Sequence, residues 1–301
     1  MNRPSGGFFL ASLLPIFTCI MKLQQYYLFN DKLHPAGTAA VGPDNRGLRY
    51  GDGLFETIRL IDGRLQMADA HFDRLLQGMN VLGFRIPAHW SAQRLSEQCV
   101  RLAAKNGHDS GARVRITVIR GNGGLYDPEH HWPLVLIQTW ALPETSGRWN
   151  QNGLVLGICE GVRKSCDVLC NLKHNNYLGY VLAARQASDE KWNDALVLNT
   201  EGGICDSTIA NLFIVRDSRV ITPPLAEGGV AGIMRARLLA YLQMQQVPFV
   251  EERITPGDLD AADEVFLSSS IHPLRWVQSF GSRRYSAEMT FRLFREFLPT
   301  I

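Results

Sequence analysis

Apolar residues in this chain come mostly in short extended runs closed by turn residues, and that punctuation constrains the fold more than any other feature. From residue 26 the runs are YYLF and then GLFETIRLI, which Asp62-Gly63 closes and RLQM continues, the pattern of a β-hairpin. Two helices follow. AHFDRLLQGMNVL, residues 70–82, puts Phe72, Leu75, Leu76 and Met79 on one face, and residues 91–104 repeat the spacing behind a Ser91 N-cap. ARVRITVIRG and PLVLIQTWAL then read as two strands joined by the Gly-rich turn GNGGLYDPEHH. PETSGRWNQN, residues 143–152, has the polar, Pro/Gly-containing composition of a linker. Beyond it lie the strand GLVLGICE, a helix over residues 176–187, the strand DALVLN, the turn TEGG and a second hairpin, NLFIVRDSRVITP. A helix opening at Gly232 and the strands PFVEERI, EVFLSSS and LRWVQSF complete the chain. Strands this numerous, mixed with few helices, predict an α+β fold of two domains, the second holding a curved, barrel-like sheet. The expected division is a small N-terminal domain over residues 22–142, the linker, and a larger domain over residues 153–301.

Length and charge agree with this. At about 100–200 residues per domain, 301 residues make a single core improbable. Thirty-one basic against 29 acidic side chains leave a net charge of +2, too weak a field to hold nucleic acid. Residues 8–20, FFLASLLPIFTCI, form an apolar run of 13, short of the roughly 20 needed to span a bilayer. No small-x-small cleavage site follows it, and a second start stands at Met21, so residues 1–21 are expected to be an extension outside the fold. No membrane partner is expected. The six cysteines form no CxxC pair, and Cys166 and Cys170, four apart, have no second half of a metal site, so no metal and a reduced, cytoplasmic setting are expected.

Six lysines are the whole supply of amine nucleophiles, and one stands apart by context. Lys173, in CNLKHNNYLGYVL, sits after a loop and directly before a helix, with Asn175, Asn176 and Tyr177 offering polar positioning and no carboxylate to keep it charged. Lys164, by contrast, reads as part of the open loop GVRKSCD. In ICDSTIANLFIV, Asp206 and Asn211 fall at a connection between strands, where an aspartate is more often a turn-former. GGVAGIMRARLL runs glycines into a helix and leaves free backbone N–H groups there, a place for phosphate, and Ser268, Ser269 and Ser270 offer hydroxyls to the same anion or merely end a strand.

Taken in order, YGDGLFETIR, HFDRLL, LKHNNYL, CDSTIANLFIV, TPPLAEGGVAGIMR and EVFLSSS resemble the fold-type IV pyridoxal-phosphate enzymes, the class IV aminotransferases. That group includes branched-chain amino-acid aminotransferases, D-amino-acid aminotransferases and aminodeoxychorismate lyase. The resemblance implies pyridoxal 5'-phosphate in the cleft between the domains, held covalently by Lys173. It implies phosphate contacts from Arg74, from the helix start at Gly232, Ile233 and Met234, and from Ser269 or Ser270. Asp206 falls where the family usually has a glutamate that keeps the ring nitrogen protonated, one methylene shorter, and Tyr177 is offered as partner of the cofactor's phenolic oxygen. It also implies a homodimer.

Substrate binding is expected from Tyr50, Phe55 and Arg59 of YGDGLFETIR, and from Arg115 of RVRITV. Each also has a plainer reading, as core ring or solvated strand charge. Five residues after Arg120, where the D-amino-acid enzymes and the lyase carry an arginine, this chain has Leu125, which cannot clamp a carboxylate. LKHNNYL and GVAGIMR are nearer the lyase. Weighing Leu125 above them, the expected activity is transfer of an amino group from an apolar, branched-chain-type amino acid to a 2-oxo acid such as 2-oxoglutarate. Aminodeoxychorismate lyase is the alternative, and a catalytically silent homologue a further one.

Overall fold

In residues 111–120 burial alternates strictly, with Val114, Ile116 and Val118 inside and Arg113, Arg115 and Thr117 half-buried on the other face, as a strand with one face on a core requires. The computed structural model describes residues 25–301 and builds an antiparallel sheet around that strand; residues 1–21 lie outside the described part. The elements are β1 (Tyr26–Phe29), β2 (Lys32–Pro35), α1 (Arg46–Tyr50), β3 (Gly53–Ile61), β4 (Arg64–Leu65), α2 (Ala68–Val81), α3 (Ala92–Lys105), β5 (Gly111–Arg120) and β6 (Pro133–Ala141). The strand order is β2-β1-β6-β5-β3-β4. One face is covered by α2 and α3, through Ile58, Leu60, Phe72, Met79, Leu102 and Ile116. The N-cap is as expected, Ser91 accepting the Arg94 N–H at 3.1 Å. The hairpin's second arm is shorter than RLQM, because Met67 turns into the left-handed region at φ 51° and α2 begins at Ala68.

The second half contains β7 (Leu154–Lys164), α4 (Leu178–Asp189), β8 (Asp194–Asn199), β9 (Ile204–Ser207), β10 (Asn211–Arg216), β11 (Arg219–Thr222), α5 (Ile233–Met244), β12 (Phe249–Glu251), α6 (Pro256–Ala261), β13 (Glu264–Ser268), β14 (Arg275–Phe280), β15 (Arg283–Arg284) and α7 (Glu288–Phe297). They form a curled sheet in the order β12-β11-β10-β13-β14-β7-β8-β9, with β15 on β14. Leu196, Leu212, Ile254, Val265 and Leu267 fill its concave core. On the other side Phe213 and Phe266, stacked at 4.9 Å, pack with Leu238 of α5 and Leu293 of α7. The mixed α+β architecture with a curved second sheet is the one expected.

Three local differences matter for the site. β7 continues through Lys164, so this lysine is not in an open loop: a register shift between Ile158 and Arg163 lets the strand resume pairing, with Lys164 opposite Asn199. Asp206 sits inside β9, opposite Val197, rather than at a turn. Residues 143–152 are not a loose tether. Trp149 stacks on Trp276 at 6.3 Å, and Asn150 exchanges hydrogen bonds with the Trp276 backbone, so the segment is fastened along β14. Among the described residues no helix is long and apolar enough to cross a membrane, and no group of three His, Cys, Asp or Glu side chains is placed to hold a metal.

The two sheets meet where Gly53, the first residue of β3, lies against the Lys173 segment. A Cβ on Gly53 would be driven into the Val118 carbonyl and to 2.6 Å from the Asn175 amide nitrogen. Gly53→Ala is therefore expected to cost about 1–3 kcal/mol, measured by denaturant unfolding, while Gly161→Ala, where a Cβ meets nothing within 4 Å, leaves the midpoint unchanged.

Candidate active site

Lys173 is held by backbone pairing. The Phe55 N–H donates to its carbonyl at 2.8 Å, and the Asn175 N–H donates to the Gly53 carbonyl at 2.9 Å, joining the loop to the start of β3. The side chain enters a cavity of about 480 Å³ between the sheets, which Phe55, Arg74, Arg113, Arg115, Tyr177, Asp206, the first residues of α5 and Ser268–Ser270 also line. Its amine lies 4.5 Å from the Phe55 ring centre and 5.5 Å from that of Tyr177. Burial first, and then the nearby positive charge of Arg74, bring its pKa from the usual 10.5 down to about 8 against the opposing pull of Glu56. An amine so placed has a far larger neutral fraction near neutrality than an ordinary lysine, and the neutral form is the nucleophile.

One end of the cavity is built for an anion. The N-terminus of α5 faces it without a side-chain cap, leaving N–H groups of the first turn unclaimed. Gly232 is required there, because a Cβ would overlap the Asn211 side-chain oxygen. Arg74 comes from α2 and is tied on three sides. It grips Glu56 through Nε at 2.7 Å and Nη2 at 2.6 Å, and it donates through Nη1 to the Ala231 carbonyl at 2.7 Å, directly before α5. Three of its five donors are used, and two remain. The Ser270 hydroxyl lies 3.3 Å from His71 Nε2, whose Nδ1 is 2.7 Å from Glu56. Burial pushes the Glu56 carboxyl up, but the charge of Arg74 and the hydrogen bonds from His71 and Arg74 outweigh it and bring the pKa down to about 2.

At the other end Asp206, only 2% exposed, is held chiefly through Oδ2. Its Oδ2 accepts from the Tyr180 hydroxyl at 2.8 Å and the Val230 N–H at 2.9 Å, and Lys164 Nζ stands 3.4 Å away. Burial, then the Asp206 charge, push the hydroxyls of both Tyr177 and Tyr180 up.

The third wall is the free face of the N-terminal sheet. Strand pairing sets Thr57 opposite Arg115 and Arg59 opposite Arg113, so their side chains share a face. The Arg115 guanidinium lies 3.7 Å from the Phe55 ring centre and that of Arg113 5.0 Å from Trp140. Arg59 and Arg275 stand behind them. Arg59 Nε, Arg113 Nε and Arg275 Nη2 are buried without a hydrogen-bond partner, and among the described residues none of these four arginines pairs with a carboxylate. Burial lowers their basicity, and burial with Arg275 and Arg59 brings His272 down to about 4.

Of the residues singled out in the sequence, Lys173, Arg74, Tyr177, Asp206, Gly232, Ile233, Met234, Ser269, Ser270, Phe55 and Arg115 all line this one cavity. Arg59 is buried behind the lining, and Tyr50 is exposed at the end of α1, its ring under Arg46 and Arg49, outside the cavity wall. Leu125, 58% exposed in the turn before β6, does not line it either. His71, Arg113, Lys164 and Tyr180 were not singled out as site residues. Arg113 was detectable from strand alternation two residues before Arg115; the other three carried no pattern.

The comparisons agree with this geometry. The family model for class IV aminotransferases matches residues 53–280, and the chain belongs to that family. It is 34% identical over 229 residues to an aminodeoxychorismate lyase of Vibrio harveyi, covering 75% of this chain and 82% of that protein. A D-alanine aminotransferase of Listeria monocytogenes serotype 4b is 30% identical over 251 residues, covering 81% and 83%. The branched-chain aminotransferase structure from Thermoproteus uzoniensis superposes with a TM-score of 0.82 over 91% of this chain and 93% of that one, at 24% identity, a likeness of fold.

Two outcomes are expected. The Glu56 carboxyl is depressed from 4.5 to about 2, so its contribution, on the order of 3 kcal/mol at 1.36 kcal/mol per unit, is present above pH 4.5 and lost as pH falls towards 2. Glu56→Gln should lower stability at pH 7 and flatten its decline over that window in denaturant titrations. The rate at which Lys173 combines with an added aldehyde should rise to about pH 8 and then level off, where an unshifted lysine would keep rising towards 10.5; stopped-flow absorbance measures it.

Proposed function

We propose that this chain is a pyridoxal-phosphate enzyme for a substrate with two carboxylates, acting as an aminodeoxychorismate lyase that releases 4-aminobenzoate and pyruvate. The observation that carries this reading is the pair Arg113 and Arg115 lining the cavity, with Arg59 and Arg275 close enough to act on the lining residue His272, and none of the four has a carboxylate partner among the described residues. Leaving buried charges uncompensated is costly, and a ligand with two carboxylates offsets more of that cost than an amino acid with an apolar side chain. The relationship to the lyase of Vibrio harveyi supports it. The sequence argument that favoured an apolar donor rested on Leu125, and that residue lies outside the cavity wall of this chain.

The residues present fit the cofactor. The uncapped start of α5, the two spare donors of Arg74 and the Ser269 and Ser270 hydroxyls suit a phosphate, Asp206 suits a protonated ring nitrogen, and the desolvated Lys173 suits an aldehyde. When bound, the cofactor supplies an electron sink for the bond broken at the substrate's amino-bearing carbon. Lys173 would take the proton from that carbon as the C–O bond to the enolpyruvyl group on the neighbouring carbon breaks; the ring becomes aromatic and the departing enolpyruvate takes up a proton to leave as pyruvate, while Arg113 and Arg115 hold the carboxylates and fix which bond lies in line for cleavage.

A second reading has its own support. Phe55, Val181, Ile209 and Ile271 give the same cavity an apolar side, and an aminotransferase moving an amino group from a branched-chain-type amino acid to 2-oxoglutarate would use it, with the arginines receiving the dicarboxylate. The assay separates the two. Aminodeoxychorismate should yield equimolar pyruvate and 4-aminobenzoate, with Arg113→Met raising KM on the order of 10- to 100-fold; glutamate from amino donor plus 2-oxoglutarate, with no pyruvate, would sink the lyase reading. Borohydride reduction followed by peptide mapping should place the cofactor label on Lys173.

A further inference from the structure

Lys164 and Tyr180 belong to none of the motifs that carry the family likeness, yet both stand against Asp206. The Lys164 ammonium closes β7 and donates to the Tyr180 hydroxyl, and it lies 3.4 Å from Asp206 Oδ2. Tyr180, in the first turn of α4, approaches Oδ2 at 2.8 Å and Oδ1 at 3.0 Å, and the Val230 N–H reaches Oδ2 at 2.9 Å. A hydroxyl has one proton to give, and the shorter approach directs it to Oδ2. Three donors therefore converge on Oδ2 from three different elements, while Oδ1 keeps lone-pair capacity towards the cavity that Asp206 lines.

The arrangement answers the substitution of Asp for the usual Glu. A shorter carboxylate reaches less far, so its direction has to be set by what lies behind it. The Tyr180 ring is itself fixed, packed at 4.4 Å on Tyr177, and Lys164 is largely buried between them and the carboxylate. We propose that Lys164 and Tyr180 are positioning residues that clamp Oδ2 of Asp206 and thereby present Oδ1 to the protonated ring nitrogen of the cofactor, a role that rests on the pyridoxal-phosphate reading above.

The test is a double-mutant cycle on the full chain loaded with pyridoxal phosphate. Lys164→Met, Tyr180→Phe and Asp206→Asn are compared with the doubles Lys164→Met/Asp206→Asn and Tyr180→Phe/Asp206→Asn, reading the cofactor dissociation constant and the visible absorption spectrum of the bound cofactor. Each clamp variant alone should weaken retention by about three- to tenfold and shift the visible band, and should add nothing once Asp206 is replaced; Lys164→Arg should restore most of the loss. Tyr180→Phe keeps the ring in place, so it decides the matter if Lys164→Met unfolds the chain. Undiminished effects in the Asp206→Asn background, or single variants with unchanged retention and spectrum, overturn the clamp alone. A wild-type chain that takes up no pyridoxal phosphate overturns the cofactor reading and the clamp with it.

Discussion

Two backbone hydrogen bonds between the start of β3 and the Lys173 loop hold the active centre together. Phe55 donates to the Lys173 carbonyl and Asn175 to the Gly53 carbonyl, so one end of the N-terminal sheet is stitched to the segment that leads into α4. Main-chain pairing fixes direction as well as distance. It delivers the Lys173 amine into the cavity beside Phe55, and it does so from a loop that would otherwise have freedom to move. The absence of a side chain at Gly53 makes the approach possible.

Around that seam the charges are separated by purpose. Arg74 and the start of α5 make one end positive; Glu56, itself held by His71, and the Ala231 carbonyl hold Arg74 by hydrogen bonds that leave two of its donors free. Asp206 makes the other end negative, and its own supports come from β7, α4 and the loop before α5. Between them lies the arginine face, where Arg113 and Arg115 lie over aromatic rings rather than beside carboxylates. A desolvated amine is kept partly uncharged by burial and by Arg74 and Arg115, against the opposing influence of the two carboxylates. The same burial that makes these interactions strong makes each unpaired group expensive, which is why the cavity as a whole is suited to a highly charged occupant.

Much of this was legible in the residues. Asp62-Gly63, the Ser91 cap, the alternation of β5 and the glycines before α5 are local signals, and the hairpin, helix and strands they announced are present. The ordered motifs named Lys173, Asp206 and Arg74, and these share one cavity. What escaped were groups defined by a neighbour far along the chain. Lys164 looked like a loop lysine because a register shift in β7 hides the strand's continuation, and its contact with Asp206 spans 42 positions. His71 looked like one more residue of an amphipathic helix, although it bridges Glu56 and Ser270. The packed helix α7, and the fastening of residues 143–152 along β14, depend likewise on surfaces that other segments build.

Local chemistry and spacing thus determined the element types and the two-sheet plan, because turns, caps and periodicity act over a few residues and are written where they act, and the resemblance of the ordered motifs pointed to the family and to Lys173. Only the tertiary structure decided which arginines face the cavity, that Leu125 does not, and what stands behind Asp206. Those outcomes depend on strand register and on how the two sheets are apposed, and a register shift of one residue would turn Arg113 and Arg115 to the opposite face of their sheet.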